Sequence, residues 1–410
     1  MGFFSGRNGN QRYGVLLDIG SGSVLAAIVH SDPGQKHPRV VWSHREHAPL
    51  RNIDTLTQSA KAVMSALVNV SMQLDAEGRK ALYEYNNSAK LSVLQCSISA
   101  PWSYTVTKTA NFSHESAFVI TSEMIAELKE SIEQQIEDDL NNTDSLKDLG
   151  LQVIAHTTMD MQSNGYRVMK PQGQKANTFS ISHASVVAQE YLIDAIDEMQ
   201  KKLFVETTAH KLSFMLMLFS IARQLFPETY DISLIDVTYE ATEIGIVRDG
   251  TLSYSTHTPF GSFSLAREIS AITKVPLHEA FSYLHTEKPY SFLNNVSDNQ
   301  KKDIEKVFEE YTKKVTDLFH ETGDTLSMPK RIAVHSDLHS EPLFLDLIKN
   351  AAKRVLKTEP HITPISAEII SKAYEIDPEE AKKSVSGDTA LLLSAQFFHK
   401  DAGEHNFQYF

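Results

Sequence analysis

Residues 16–29 read LLDIGSGSVLAAIV and predict two β-strands joined by a tight turn. Gly20 and Gly22 bracket Ser21, so the backbone of this turn can adopt positive φ and approach a bound group closely. Asp18 can hold a metal-bound water there, and the backbone N–H groups of the turn can face a phosphate. Taken alone, the pattern fits a plain β-hairpin equally well.

Length, composition and charge narrow the class of protein. The chain has 410 residues, 41% of them hydrophobic and 22% charged, which indicates more than one domain with buried cores. Its net charge of −13 argues against a nucleic-acid-binding protein, which carries a basic footprint. Residues 1–11 lack the pattern of a signal peptide, and the apolar run 214–222 is too short to cross a bilayer. We therefore expect a cytoplasmic protein with a disordered N-terminus at residues 1–11.

The arrangement of residues 16–29 occurs a second time. Asp236 follows the apolar run ISLI as Asp18 follows GVLL, and Asp249-Gly250 is a strong signal for a two-residue hairpin turn. An internal duplication of this kind predicts two similar lobes that face each other across a cleft.

Between the two copies the pattern changes at residue 101. It predicts a strand, a helix and two further strands, a compact unit of about 85 residues. The strands are predicted at 104–112, 151–161 and 179–187. The helix begins near the N-cap Thr121 and carries one apolar stripe, formed by Met124, Ile125, Leu128, Ile132 and Ile136.

The rest of the chain predicts mainly helices. Residues 212–226 are apolar on all sides, which is typical of a helix buried between layers. The polar stretch 76–90 is predicted to be a loop, and the tail 399–410 is predicted to be loose. Further helices are predicted at 54–74, 189–203, 265–272, 276–284, 304–319, 343–356 and 388–398.

The order of these parts resembles the actin-like superfamily of nucleotide-binding proteins, and in particular the family of the bacterial cell-division protein FtsA and the pilus-assembly protein PilM. LLDIGSGSV is similar to the first phosphate loop of that family. SLIDVTYEATEIGIVRDGTL and STHTPFGSFSLAREI are similar to the second phosphate hairpin and the glycine-containing turn after it. RIAVHSDLHSEPLF stands where the adenosine motif would be, and DTALLLSAQFF resembles the closing helix.

The resemblance implies an α/β, two-lobed actin-like (RNase H-like) fold with an inserted strand-helix-strand-strand (SHS2-type) domain. It places lobe 1 at 12–100 and 188–228, and the inserted domain at 101–187. Lobe 2 falls at 229–398, with a helical subdomain at about 276–328.

The resemblance also implies a site for ATP with Mg²⁺ between the lobes, with Asp18 as the metal-holding residue. The cofactor-binding residues would be Asp18, Gly20, Ser21, Gly22, Ser23, Asp236 and Gly261. The family's second loop is typically Asp-Ile-Gly-Gly-Gly-Thr, whereas Asp236 is followed here by VTYEA, and Glu240 adds negative charge where a phosphate would lie. We therefore predict a degraded nucleotide pocket and at most a weak ATPase.

Two functions are favoured on this basis. The first is an FtsA-type cytoplasmic scaffold that self-associates and links a division machine to the inner face of the membrane. In this scaffold a bound nucleotide would set the closure of the lobes and thereby the surface for self-association. The second is a PilM-like platform that binds a short cytoplasmic peptide of an inner-membrane partner. The chain length and the loop at residues 171–173 favour the first function. The tail, with Asp401 and Glu404, does not look like the basic amphipathic helix that FtsA lays on the membrane, which favours the second. A sugar-kinase-type enzyme is least favoured, because those chains lack this insertion and need intact phosphate loops.

Other residues have a functional and a structural interpretation. His335 and His339 are four residues apart, a spacing that binds zinc on a helix, but they follow a strand and are predicted to lie in a surface loop. Trp102 and Phe112 could contact a partner, although the default is that both belong to the core.

Overall fold

The structure is a computed structural model that describes residues 11–49, 55–142, 150–322, 328–336, 342–356, 358–376 and 387–401. The predictions for residues 1–10, His339 and the end of the tail lie outside these ranges.

Within them the strands, in chain order, are β1 (Arg12–Ile19), β2 (Ser23–Ser31), β3 (Arg39–His47), β4 (Leu91–Ile98), β5 (Ser103–Val119), β6 (Leu151–Ser163), β7 (Tyr166–Arg167), β8 (Lys175–Gln189), β9 (Thr208–Ser213), β10 (Ile232–Val237), β11 (Thr242–Arg248), β12 (Thr251–Thr258), β13 (Arg331–Ser336) and β14 (His361–Pro364). The helices are α1 (Leu56–Gln73), α2 (Arg79–Tyr85), α3 (Ser122–Asn142), α4 (Glu190–Leu203), α5 (Phe214–Leu225), α6 (Ser262–Thr273), α7 (Leu277–Tyr283), α8 (Asp298–Glu321), α9 (Pro342–Leu356), α10 (Ala367–Tyr374) and α11 (Thr389–Asp401).

Two five-stranded sheets have the same topology. Their strand orders are β3-β2-β1-β4-β9 and β12-β11-β10-β13-β14. In each sheet the first strand in sequence lies antiparallel to the second and parallel to the fourth. The duplication and the two-lobed fold predicted from the two aspartate-containing hairpins are therefore confirmed.

The core between the two sheets contains α5 and α11. Side chains of β1 and β2 pack there with side chains of β10 and β11. Ten residues of α5 are buried, which confirms the prediction of a helix enclosed between layers. This shared core places the turns that follow β1 and β10 against each other.

A third sheet, in the order β5-β8-β6-β7, is formed by the residues between β4 and α4. Helix α3 packs on it through a small core that includes Met161, Phe179 and Ile181. Arg167 in this sheet donates hydrogen bonds to Asp249 O at 2.6 Å and to Thr251 Oγ1 at 2.7 Å, so the unit also contacts the second lobe. Its boundaries at 101–187 and its SHS2 type stay predictions.

The predicted loop at 76–90 is wrong over most of its length. The chain forms a π-helical turn at Leu74–Gly78 and continues as α2 to Tyr85. Leu74 and Leu82 are both buried, two helical turns apart, and they anchor a segment whose other side chains are mostly polar. Strand β9 and helix α10 were not predicted from the sequence. Among the described residues, no helix is both long and apolar enough to cross a membrane.

Candidate functional site

The turn after β1 is enclosed by protein. Asp18 and the residues 20–23 are all buried, and Ser21 has no exposed surface. The predicted binding residues Asp18, Gly20, Ser21, Gly22 and Ser23 therefore lie together at the junction of the two lobes, away from solvent.

Asp18 has its cationic partner within the chain. Arg45 Nη2 on β3 donates to Asp18 Oδ2 at 3.3 Å, and Ser97 Oγ on β4 donates to Asp18 Oδ1 at 3.0 Å. Arg45 also donates to Asp388 at 2.7 Å and to Ser23 Oγ at 2.8 Å. Burial raises the pKa of the Asp18 carboxyl, and the Arg45 guanidinium opposes that shift. A guanidinium thus holds the carboxylate that was predicted to hold Mg²⁺.

Asp236, the equivalent residue of the second lobe, is paired in a different way. It lies beside His335 on the parallel strand β13, and the distance between Asp236 Oδ1 and His335 Nδ1 is 2.7 Å. His335 Nε2 is 3.1 Å from Thr389 Oγ1. His335 is fully buried in a strand, so its predicted placement in a surface loop is wrong.

Both sets of contacts end at the start of α11. Asp388 accepts a hydrogen bond from Arg45 of lobe 1. It is also the N-cap residue of α11, where it accepts a hydrogen bond from Leu391 N at 3.0 Å. Its neighbour Thr389 contacts His335 from lobe 2. The N-terminus of this helix therefore joins the two aspartates through a chain of polar contacts.

The two turns also bond to each other directly. Ser21 Oγ donates to Thr238 Oγ1 at 2.9 Å and accepts from Glu240 N at 2.9 Å. Thr238 Oγ1 donates to Ala100 O at 3.1 Å. Hydroxyl and amide groups that could face a phosphate are thus engaged across the cleft.

Glu240 occupies this junction with a buried charge. Its side chain is 2% exposed and accepts from Ser59 Oγ on α1 at 2.7 Å. Arg267 on α6 forms a two-bonded ion pair with it, at 2.9 and 2.6 Å. The negative charge that the sequence placed beside a phosphate is instead neutralised by a guanidinium of its own lobe.

An aromatic ring fills the space in front of the first turn. A Cβ atom at Gly22 would lie 2.3 Å from the Tyr239 ring, so glycine is needed here because the ring packs on the backbone. Tyr239 is held by Phe263 and Phe281, with ring centroids 4.4 and 5.5 Å away. The space that glycine leaves open beside the backbone at position 22 is occupied by the ring of Tyr239.

Gly261 is likewise used within the protein. A Cβ atom there would lie 2.4 Å from Thr238 O. The first N–H groups of α6, those of Ser262 and Phe263, donate to Thr238 O at 3.0 Å and to Tyr239 O at 2.7 Å. A helix N-terminus can bind phosphate through such groups, but here they bind the turn after β10.

These residues do not fit MgATP in this arrangement. The first turn is buried, Arg45 lies on the carboxylate predicted for the metal, and Tyr239 covers Gly22. The same residues instead join the two lobes through buried polar contacts.

Neither Arg45 nor Arg267 was predicted from the sequence to belong to the site. Their partners Asp388 and Glu240 are 343 and 27 positions away, so no local pattern points to these pairs. Trp102 is a core residue, 3% exposed, and its Nε1 donates to Gly20 O at 3.1 Å. Phe112 is 37% exposed and packs edge-on against Phe118.

Glu243 gives a prediction on pH. Glu243 lies on β11, fully buried and opposite Asp236 on β10. Burial is the main cause that raises the pKa of Glu243 well above its ordinary value, and the negative charge of Asp236 raises it further. The folded state therefore keeps a proton that the unfolded state releases above pH 4.5, so stability falls as the pH rises from there towards the folded pKa. The loss is up to about 1.4 kcal/mol per pH unit.

We expect Glu243→Gln to remove this slope, which urea unfolding at pH 5, 6, 7 and 8 would measure. The exposed Glu305 on α8 is the matched control, and Glu305→Gln should keep the slope of the wild type. Parallel curves for wild type and Glu243→Gln would contradict the buried, protonated carboxyl.

Comparison with solved structures identifies the fold of this chain, whereas comparison of sequences finds no match. No protein-family model matches the chain, and no curated protein matches it. The solved structure of a PilM–PilN type IV pilus biogenesis complex contains a chain with 11% identity and a TM-score of 0.54, and the match covers 94% of this chain and 98% of that one. This chain has the actin-like ATPase fold.

Two further structures resemble it at lower TM-scores. The ethanolamine utilization protein EutJ of Carboxydothermus hydrogenoformans is 12% identical with a TM-score of 0.44, over 94% of this chain and 90% of that one. A Bacteroides thetaiotaomicron protein described by its actin-like ATPase fold is 8% identical with a TM-score of 0.42, over 87% and 91%. The actin-like fold that the sequence resemblance implied is confirmed by the match to the PilM–PilN complex.

Proposed function

We propose that this chain is an actin-like adaptor whose lobes are held closed by its own side chains and which binds a short segment of a partner protein. The observation that carries the proposal is the set of buried contacts from Ser21 and Ser59 to the turn at residues 238–241. In this proposal the closed state needs no nucleotide.

The partner side of the proposal rests on the fold likeness to PilM, which forms a complex with PilN. This likeness supports the platform function ahead of the FtsA-type scaffold. Self-association, recruitment to the inner face of the membrane and a division role stay predictions from the sequence resemblance.

Calorimetry with MgATP tests the proposal that the closed state needs no nucleotide. We expect no binding up to millimolar MgATP, because the turn predicted to hold the phosphates is buried and its Ser21 hydroxyl is engaged. Hydrogen exchange adds a second measurement: the amides of residues 20–23 and 238–241 should be strongly protected without nucleotide and unchanged by it.

The matched variant is Asp18→Asn, which keeps the shape of the side chain and removes its charge. It should give the same blank titration as the wild type. Micromolar binding by the wild type that disappears in Asp18→Asn would overturn the closed-adaptor proposal and restore a nucleotide-switched scaffold.

A further inference from the structure

Three side chains from three elements meet on one face of the third sheet. Glu133 lies on α3, His156 on β6 and His183 on β8, and one ligand atom from each lies within 4.8 Å of the other two. We propose that these residues bind a divalent transition-metal ion of the zinc class. The cluster is separate from the contacts between the two lobes that carry the proposed function.

The distances between the side chains fit tetrahedral coordination. His183 Nε2 is 3.0 Å from Glu133 Oε1, and His156 Nδ1 is 3.9 Å from the same oxygen. Two ligand atoms with metal bonds of about 2.0–2.1 Å lie roughly 3.3 Å apart at a tetrahedral angle. The two distances to Glu133 Oε1 bracket that value, and all three ligand atoms lie within 4.8 Å of one another, so rotation of the side chains can bring them to a common centre.

The backbone holds the two imidazoles in place. Strands β6 and β8 are antiparallel, with His156 opposite Ser185 and His183 opposite Thr158. The rings are therefore diagonal neighbours on one face, with centroids 5.7 Å apart and planes 18° from parallel. This orientation does not depend on a flexible loop.

Hydroxyl groups lie beside both rings. Thr158 Oγ1 is 3.4 Å from His183 Nδ1, and Ser185 Oγ is 2.8 Å from His156 Nδ1. An oxygen beside Nδ1 of His183 favours the tautomer with its proton on Nδ1, which leaves the Nε2 lone pair facing Glu133. Thr158 thus stands where the outer partner of a metal-bound histidine stands, on the ring nitrogen of His183 that faces away from Glu133. Ser185 instead contacts Nδ1 of His156, the nitrogen nearest Glu133, so its hydroxyl has to turn away from that nitrogen when an ion binds there.

Charge and access also suit a cation. The carboxylate of Glu133 supplies a negative charge beside the two imidazoles. Lys129, one turn before Glu133 on α3, is a nearby charge that disfavours a cation, and burial lowers its pKa. His156 is exposed, which gives an ion an entry path and leaves a fourth position for water or a partner's side chain.

A bound ion would fix α3 to the sheet. Ile132 and Ile136 are the fully buried residues described for this 21-residue helix, and Glu133 lies between them. Because α3 is otherwise largely exposed, the metal would set the position of a surface available to a partner.

The test uses the untagged full-length chain, freed of metal with a chelator. Calorimetry with Zn²⁺ should give one site per chain with a Kd of micromolar or below. Co²⁺ should give intense visible absorption bands of a tetrahedral site. His183→Gln and Glu133→Gln should each weaken Zn²⁺ binding about 100-fold or more and abolish those bands.

The matched control is His114→Gln, an exposed histidine of β5 in the same sheet that is outside the cluster. It should bind Zn²⁺ as the wild type does. Equal affinities of wild type and Glu133→Gln, or no Co²⁺ bands in the wild type, would overturn the proposal. Glu133 is half-buried at the surface, so that variant still informs if His183→Gln fails to fold.

Discussion

Arg45→Met should lower the free energy of unfolding by about 3–5 kcal/mol, the usual result of removing one partner of a buried ion pair. Methionine replaces the apolar stem of the side chain but leaves Asp18, 2% exposed, without its guanidinium. It also leaves Asp388 at the start of α11 without the cation that contacts it at 2.7 Å. Equilibrium unfolding in urea would measure the loss.

The pH dependence separates this charge effect from a packing defect. Without Arg45, the pKa of Asp18 rises further, because burial then acts unopposed by its main counter-charge. The folded state of the variant then favours a proton that the unfolded state releases above pH 3.8. We therefore expect the deficit to be larger at pH 8 than at pH 5, and Asp18→Asn in the same chain to recover part of it. A deficit that is constant with pH would indicate lost packing alone.

Arg267→Met should have a similar cost, about 3 kcal/mol, because Glu240 stays buried with its charge unpaired. Adding Glu240→Gln removes that charge, so the double variant should be more stable than Arg267→Met alone. A double-mutant cycle measured by urea unfolding should give a coupling of about 2 kcal/mol.

An exposed pair of the same geometry provides the control. Arg354 and Glu309 also form two bonds, both of 2.7 Å, but their side chains are 43% and 61% exposed. Arg354→Met should cost about 1 kcal/mol or less, since exposed pairs contribute little. If Arg267→Met and Arg354→Met lower the free energy of unfolding equally, burial does not strengthen the Glu240–Arg267 ion pair, and the pair does not hold the turn to α6.

The two-lobed fold could be predicted from the sequence because the patterns that indicate it lie within short stretches of the chain. Apolar runs before Asp18 and Asp236, with turn residues after them, were enough to predict two related lobes. Short elements were missed where local signals compete: β9 reads TAHKLS and runs directly into the apolar α5, and the polar composition of α2 is typical of a loop.

The contacts of the site could be predicted only in part. The sequence showed that Glu240 stands where the resemblance expects a glycine-rich loop. It could not show Arg267 beside Glu240, because that contact forms only when α6 folds back on the turn within lobe 2. Nor could it show Asp388 beside Arg45, because these side chains meet only through the packing of the two lobes. The metal cluster has the same origin, since α3, β6 and β8 each contribute one ligand with no common spacing.

The contacts between the two turns have a regulatory consequence. A lobe closure that depends on a bound molecule varies with the supply of that molecule, by mass action. Arg45, Tyr239 and Arg267 are covalent parts of the chain, so each copy carries them in fixed proportion. In the proposed adaptor, the number of closed molecules in a cell then follows synthesis and degradation of the protein and is independent of the cell's energy charge.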